Sequence, residues 1–146
     1  MLPVDDIDER IAFGAQPDLA MAREAGFTHV VNLRGELDED ADAAALGMEL
    51  LWIRWFDPWA YQAGLADDLA RIVAFVGEAL SREGTRVLIH CQAGVERSPL
   101  AAYALLRSRG LSDDEARDAV RRARPSATFS FIDGNRHAIE RFLARG

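Results

Sequence analysis

One stretch of the chain constrains the fold more than any other: an apolar run that ends at a cysteine and leads through a short loop into a helix. Residues 85–90, Thr-Arg-Val-Leu-Ile-His, have the continuous apolar centre of a buried strand. Cys91 follows directly and opens the loop. Ser98 and Pro99 are typical N-cap and first residues of a helix, which continues over residues 100–109. A buried strand that passes through a tight loop into a helix predicts a central sheet covered by helices.

The rest of the chain alternates between strand-like and helix-like patterns. Short apolar runs predict strands, whereas apolar residues at helical spacing, such as Leu65, Leu69 and Ile72, predict helices. Predicted strands cover residues 10–13, 29–33, 49–55 and 85–90, and predicted helices cover residues 17–24, 38–46, 65–82, 100–109, 112–123 and 131–143. We therefore predict one α/β domain over residues 1–146, with a single central sheet flanked by helices and a helical C-terminal third.

Charge and cysteine content restrict the partners and the cellular compartment. The net charge of −7 argues against binding nucleic acid or an anionic membrane, because both need a basic surface. No apolar run approaches the roughly 20 residues that span a bilayer, and the N-terminus lacks the layout of a signal peptide. Cys91 is the only cysteine, so it has no partner for an internal disulfide. We expect a monomer in the cytoplasm, with no nucleic-acid or membrane partner.

The loop that follows the last predicted strand has the residue types that bind a phosphate group. Its backbone N–H groups can surround phosphate oxygens, and the N-terminus of the following helix adds partial positive charge. Gly94 allows the turn, and Arg97 can bind two oxygens with its planar fork. The predicted phosphate-binding loop consists of Cys91, Gln92, Ala93, Gly94, Val95, Glu96 and Arg97.

The same positive surroundings favour a reactive thiolate at Cys91, which is the predicted nucleophile. We interpret His90 as a group that fixes the loop and the thiolate, rather than as a base, because an ionised thiol needs none. Ser98, besides capping the helix, can donate a hydroxyl hydrogen bond to the sulfur and help it to leave. A lone cysteine is usually only a small buried side chain, but its spacing to Arg97 and the strand-loop-helix context favour the catalytic interpretation.

The segment His90-Cys91-x-x-Gly94-x-x-Arg97-Ser98 resembles the active-site loop of the protein tyrosine phosphatases. Its position past mid-chain, and the Ser98-Pro99 pair before an Ala/Leu-rich helix, are similar to the dual-specificity branch of that superfamily. Residues 13–17 and 29–34 also resemble early segments of small dual-specificity enzymes. The resemblance implies a phosphotyrosine phosphatase-like fold and phosphate ester hydrolysis through a phosphocysteine, with no metal and no cofactor.

The resemblance also implies an aspartic acid, on a loop upstream of the cysteine, that protonates the leaving oxygen and then activates water. Asp57 is the best candidate, because it follows the predicted strand at residues 49–55 as the acid of that family follows its equivalent strand. Asp67 and Asp68 are the competitors. Both fall in the first turn of a predicted helix, where the helix dipole favours carboxylates.

Side chains around the loop bear on the substrate. Glu96 disfavours polyanionic ligands, so we expect a phosphotyrosine or phosphoserine/threonine protein, or a small phosphate monoester. Trp52, Trp55, Phe56, Trp59 and Tyr61 are interpreted as core and loop packing rather than a substrate platform. Arg34 and Arg124 are interpreted as surface arginines, although both could reach the rim of the pocket.

Two other functions remain open from the residues. A rhodanese-like sulfurtransferase or arsenate reductase also uses a cysteine in an anion-binding loop, but has no use for Gly94, Ser98 and an upstream acid. A non-catalytic phosphate-binding adaptor would usually lack the nucleophile, the arginine or the acid. The three histidines and the single cysteine form no convincing metal-ligand set.

Overall fold

The computed structural model describes residues 1–56 and 64–145, which contain five strands and seven helices. The strands are β1 (Val4–Asp6), β2 (Ile11–Gly14), β3 (His29–Asn32), β4 (Glu49–Trp52) and β5 (Val87–His90). The helices are α1 (Leu19–Glu24), α2 (Asp40–Ala45), α3 (Leu65–Leu80), α4 (Arg97–Ser108), α5 (Asp113–Ala123), α6 (Ser130–Gly134) and α7 (Arg136–Ala144). None of these helices combines the length and apolar character that crossing a membrane requires.

The strands form one sheet in the order β1-β2-β5-β3-β4, so the predicted single central sheet is confirmed. All neighbouring pairs are parallel except β1 and β2. The short strand β1 was not predicted, because Val-Asp-Asp has no apolar periodicity and forms a strand only by pairing with β2. β4 ends at Trp52, three residues earlier than predicted.

The register of the parallel strands gathers three strand ends at one edge of the sheet. His90, the last residue of β5, pairs with Gly14 of β2 on one side and with Asn32 of β3 on the other. The segments that leave these strands therefore begin side by side. The loop after Cys91 emerges at this edge, which is where open α/β sheets usually bind ligands.

Side-chain alternation along β5 separates two cores. Val87 and Ile89, together with Cys91, belong to the larger apolar cluster, which includes side chains of α3 to α7. Leu88 points to the opposite face and packs in the smaller cluster with side chains of α1 and α2. His90 lies on the same face of β5 as Leu88, and Cys91 lies on the opposite face. These consecutive residues therefore have different surroundings.

Helix α4 begins two residues earlier than its sequence pattern suggests. The N-cap is Glu96, and Ser98 lies inside the first turn, so the prediction of Ser98 as N-cap is wrong. The Ser98 hydroxyl donates to the Gly14 carbonyl oxygen at 2.9 Å instead of accepting from a helix N–H group. The Gly14 carbonyl lies at the end of β2, far from Ser98 in the sequence. A local sequence pattern does not indicate a contact between such distant segments.

The helix predicted over residues 131–143 is divided into α6 and α7. Asn135 separates them with φ −122° and ψ 27°, outside the helical region. Its side-chain Nδ2 donates to the Phe131 carbonyl oxygen at 2.7 Å, an acceptor that would otherwise bond to the backbone N–H of Asn135 in a continuous helix. An asparagine side chain that competes with the backbone for this acceptor favours a break.

The predicted capping box at the start of α5 is confirmed, with reciprocal hydrogen bonds between Ser112 and Glu115.

Asp113, the first residue of α5, connects this helix to α4. The Tyr103 hydroxyl donates to Asp113 at 2.6 Å, and Arg117 donates to the same carboxylate oxygen at 2.9 Å. The hydrogen bond from Tyr103, followed by those of Arg117, holds the pKa of Asp113 below its ordinary value.

Replacing Asp113 with asparagine is expected to lower the free energy of unfolding by about 1 kcal/mol at neutral pH, because the charge that Tyr103 and Arg117 stabilise is lost. The pKa of Asp113 is depressed in the folded protein, so its contribution is present above the unfolded-state pKa near ~3.9 and disappears as pH falls through the folded-state pKa. Urea unfolding from pH 7 down to pH 3 measures this. Asp114→Asn is the matched control in the same helical turn, and an equal loss in that variant would contradict the proposed contact.

Candidate active site

The Cys91 sulfur lies at the bottom of the loop between β5 and α4, with only 2% of the residue exposed. The backbone N–H of Cys91 donates to the Gly14 carbonyl oxygen at 3.1 Å, which ties the loop to the end of β2. The backbone N–H of Ser98 donates to Sγ at 3.4 Å. A backbone donor in the first turn of a helix stabilises negative charge on sulfur, so the predicted nucleophile lies in suitable surroundings.

The Ser98 hydroxyl contacts both the sulfur and the end of β2. Its oxygen lies 3.5 Å from Sγ of Cys91 and accepts from the thiol, while its own hydrogen is donated to the Gly14 carbonyl oxygen. Ionisation of Cys91 removes the thiol donor, and the hydroxyl can then rotate its hydrogen toward the sulfur. The predicted interaction of Ser98 with the sulfur is therefore geometrically available, although the thiol form uses a different arrangement.

Gly94 is required by the path of the loop. Its φ of +71° is in the left-handed region, which side chains disfavour. A Cβ atom at this position would also lie 2.6 Å from the Ala15 nitrogen and 2.7 Å from the Gly14 carbonyl carbon. The loop thus packs directly on the backbone that leaves β2, and the predicted role of Gly94 as a turn residue agrees with this geometry.

Arg124 holds the outer side of the loop, so its interpretation as a surface arginine is wrong. The side chain is only 14% exposed, and its Nη1 donates to Asp5 of β1 at 2.9 Å. Nε donates to the Gly94 carbonyl oxygen at 2.8 Å, and Nη2 donates to that of Ala93 at 3.2 Å. Because N–H and C=O of a trans peptide point in opposite directions, carbonyls that face Arg124 turn the following N–H groups away from it.

Arg97 is fully buried at the far end of the loop, with 1% exposure. Its Nη1 donates to the carbonyl oxygens of Leu33 at 3.3 Å and Trp55 at 3.0 Å, and lies 3.4 Å from a Glu36 carboxylate oxygen. Burial alone would raise the pKa of Glu36, but hydrogen bonds from Arg34 and from its own backbone, together with Arg97, lower it. These contacts fix the guanidinium at the site where an arginine was predicted to bind phosphate oxygens.

His90 is completely buried on the other face of β5, where it contacts an acid that sequence reasoning missed. Its Nε2 lies 2.6 Å from Oε1 of Glu39, and its Nδ1 lies 3.1 Å from the Cys91 carbonyl oxygen. Glu39 is the N-cap residue of α2 and is 3% exposed. Its segment, residues 35–42, contains five acidic residues with no local signal that distinguishes this one.

The predicted general acid, Asp57, lies outside the described residues. Asp67 and Asp68, the alternative candidates for the acid, both have other hydrogen-bond partners. Asp68 accepts a hydrogen bond from the Trp55 indole at 2.9 Å, and Asp67 accepts one from Arg145 at 2.7 Å. Both are in the first turn of α3, as predicted.

Glu96 lies at the rim of the loop. Its carboxylate accepts hydrogen bonds from the hydroxyls of Ser130 at 2.5 Å and Thr128 at 3.4 Å. The remaining loop residues differ in exposure: Gln92 and Ala93 are exposed, and Val95 is partly buried. No group of three or more histidine, cysteine or acidic side chains suited to a metal ion occurs in residues 1–56 and 64–145.

Of the aromatic residues near the site, Trp52 and Trp55 contribute to packing, as predicted. Trp55 is 1% exposed, and the indole of the half-buried Trp52 donates to the Arg34 carbonyl oxygen at 2.8 Å. Phe56 is 44% exposed. Trp59 and Tyr61 lie outside the described residues.

Arg124→Gln is expected to weaken binding of inorganic phosphate by about tenfold, because the loop loses the side chain that holds two of its carbonyl groups. Isothermal titration with phosphate measures the effect without any need for turnover. Arg124→Lys is expected to weaken binding nearly as much, since a lysine retains the charge but not the planar fork.

Arg122→Gln is the matched control for charge, because Arg122 is an exposed residue in the last turn of α5, the helix whose C-cap is Arg124. Its phosphate affinity should stay within about twofold of the unmodified protein at moderate salt. Full restoration of binding in the lysine variant would show that charge alone matters and would contradict the role of the hydrogen bonds.

Comparisons with known proteins agree with this geometry. A family model described as the catalytic domain of dual specificity phosphatases matches residues 11–134. Dual specificity protein phosphatase 12 is 37% identical over 106 residues in Mus musculus and 38% identical over 116 residues in Homo sapiens. These matches cover 72% and 77% of this chain, but only 30% and 32% of the mouse and human proteins. The chain thus spans about a third of the length of these curated relatives.

Solved structures show the same fold. The crystal structure of Tk-PTP in the active form has a TM-score of 0.78 and 34% identity, and the match covers 95% of this chain and 97% of that one. A mouse putative dual specificity phosphatase complexed with zinc tungstate has a TM-score of 0.81 at 24% identity, covering 99% and 91% of the two chains. That second likeness shows the fold alone. From the family match and the sequence identities, this chain belongs to the family of dual-specificity phosphatase catalytic domains.

Proposed function

We propose that this chain hydrolyses phosphate monoesters in two steps, through a covalent phosphocysteine at Cys91 and without a metal ion. The observation that carries the proposal is the loop that joins β5 to α4. It combines a buried sulfur 3.4 Å from a helix N–H with a fixed, buried arginine at its other end. Family membership supports the same chemistry.

In the first step, the Cys91 thiolate attacks phosphorus and the bond to the leaving oxygen breaks. Arg97 and the loop N–H groups stabilise the charge that spreads over the three equatorial oxygens. Asp57 donates a proton to the leaving oxygen, so the alcohol or phenol departs neutral. Asp57 remains the candidate for this role, and the engagement of Asp67 and Asp68 elsewhere supports that choice.

In the second step, water attacks the phosphorus of the phosphocysteine while Asp57 accepts its proton. The S–P bond breaks, the sulfur leaves as a thiolate and inorganic phosphate is released. The Ser98 hydroxyl and the Ser98 backbone N–H both lie within 3.5 Å of the sulfur, where they can stabilise this leaving thiolate. The enzyme returns to its starting state with no net change of charge or protonation.

The substrate that we propose is a phosphorylated tyrosine, serine or threonine side chain of a protein, or a small monoester. Glu96 supports this choice, because Ser130 and Thr128 fix its carboxylate at the rim of the loop. A second phosphate group bound near the rim would meet this negative charge. Since the mechanism needs a free thiolate and the chain has no second cysteine, a reducing compartment such as the cytoplasm suits it.

Hydrolysis of para-nitrophenyl phosphate with EDTA present tests the chemistry. Cys91→Ser should lose all detectable turnover but still bind phosphate or vanadate, because the loop amides and Arg97 remain. Asp57→Asn should lower kcat by roughly 100-fold or more, because it removes the proton donor. Arg97→Ala should lose both turnover and anion binding.

Full activity in Cys91→Ser would refute the mechanism. An inactive wild type that transfers sulfur from thiosulfate to cyanide would instead support the sulfurtransferase alternative. An inactive wild type that binds phosphate and fails in both assays would support a phosphate-binding adaptor.

Glu96→Gln tests the substrate class. Removing the carboxylate should lower KM for a doubly phosphorylated substrate by roughly fivefold, because about 1 kcal/mol of repulsion is relieved. KM for a singly phosphorylated substrate of the same backbone should change less. The difference should shrink at 0.5 M salt, since exposed charges are screened. An equal change for both substrates would contradict the role of Glu96 in selecting against polyanions.

A further inference from the structure

Glu39 contacts the segments on both sides of the nucleophile. Its Oε1 lies 2.6 Å from Nε2 of His90, the residue before Cys91. Its Oε2 accepts a hydrogen bond at 2.9 Å from the side chain of Gln16. The backbone N–H of Gln16 in turn donates at 3.0 Å to the carbonyl oxygen of Gln92, the residue after Cys91.

The two partners of the His90 ring are both oxygen atoms that accept hydrogen bonds. Nδ1 faces the Cys91 carbonyl oxygen at 3.1 Å, and a carbonyl oxygen has no hydrogen to give. Nε2 faces the Glu39 carboxylate. A ring with a hydrogen on each nitrogen, the imidazolium, satisfies both oxygens when Glu39 is ionised.

An imidazolium at this depth requires a counter-charge, because His90 is 0% exposed. Glu39, at 3% exposure, supplies it at hydrogen-bonding distance. The resulting ion pair has a direction, since the positive ring lies between the carboxylate and the backbone of Cys91. Its positive end therefore faces the backbone carbonyl of Cys91.

We propose that Glu39 is a positioning residue that keeps His90 in the cationic form and thereby promotes ionisation of Cys91. The proposal rests on the function proposed above, in which the thiolate of Cys91 is the nucleophile. Glu39 itself touches neither the sulfur nor the phosphate site. It acts through His90, and its contact with Gln16 supports the other side of the loop.

Other charged groups also contact the loop, so the effect of Glu39 on Cys91 must be distinguished from theirs. Arg97 terminates the loop, and Arg124 binds its outer carbonyls. Glu36 contacts Arg97, and Arg34 contacts Gln16, whose backbone N–H donates to Gln92 of the loop. Among the described residues, Glu39 is the charged group that contacts His90 at hydrogen-bonding distance.

Glu39→Gln separates the charge of Glu39 from its hydrogen bonds. With its amide oxygen toward Gln16, the new side chain still accepts the Gln16 hydrogen bond. Its amide nitrogen then faces Nε2 and donates to a neutral His90 ring, whose Nδ1–H still binds the Cys91 carbonyl oxygen. The variant can therefore keep every hydrogen bond of the network while it loses the imidazolium.

The experiment is alkylation by iodoacetamide as a function of pH. Cys91 is the only cysteine, so the rate of labelling reports this thiolate alone. Glu39→Gln should move the pH of half-maximal rate upward by about one unit, equivalent to roughly tenfold less thiolate on the acidic side of the curve. Asp42→Asn is the matched control, because Asp42 is an exposed acid in α2 and should leave the curve unchanged.

A double-mutant cycle tests whether Glu39 acts through His90. His90→Asn should raise the pH of half-maximal alkylation rate. Adding Glu39→Gln to this variant should not raise that pH further. A further rise equal to that of Glu39→Gln alone would overturn the proposal. So would a folded Glu39→Gln variant, verified by circular dichroism and urea unfolding, whose curve coincides with that of the wild type.

The measurement is independent of turnover, which separates it from the proposed function. A shifted alkylation curve together with an inactive wild type would support the role of Glu39 and refute the phosphatase mechanism. Normal hydrolysis with an unchanged curve in Glu39→Gln would support the mechanism and overturn the role of Glu39.

Discussion

The parallel pairing of β5 between β2 and β3 is the constraint on which the rest of the site depends. It places the Gly14 carbonyl oxygen beside the loop, where it accepts from the Cys91 backbone and from the Ser98 hydroxyl. On the other side, the Leu33 carbonyl after β3 accepts from Arg97. The loop is thus held by backbone groups of both neighbouring strands, which are among the most rigid parts of such a fold.

The side-chain alternation along β5 then places His90 and Cys91 in two different environments. Cys91 faces the large apolar cluster, where few solvent molecules compete for its sulfur. His90 faces Glu39, the N-cap residue of α2, which also accepts a hydrogen bond from Gln16. The two environments meet at the backbone of Cys91, whose carbonyl oxygen lies 3.1 Å from Nδ1 of His90. A charge on one face can therefore influence the Cys91 sulfur on the other without any contact between the side chains.

Two arginines, the buried Arg97 and the partly buried Arg124, hold the predicted phosphate-binding loop. Arg97 is anchored through Nη1 by two carbonyl oxygens, and Arg124 holds two loop carbonyls on the outside. Each contact restricts a group that would otherwise have to be ordered when phosphate binds. Preorganised donors of this kind stabilise developing charge at little cost in reorganisation.

The sequence by itself determined the central sheet and most of its strands, because these follow from local apolar patterns. The short spacing between Cys91 and Arg97 predicted the loop and its nucleophile. It also identified the family correctly. The tertiary structure decided the contacts of Glu39, Glu36 and Arg124, and the true start of α4. These depend on contacts between residues 30 to 119 positions apart, and one acid among several neighbours has no local mark that distinguishes it. Strand register and helix packing, rather than sequence spacing, bring such residues together.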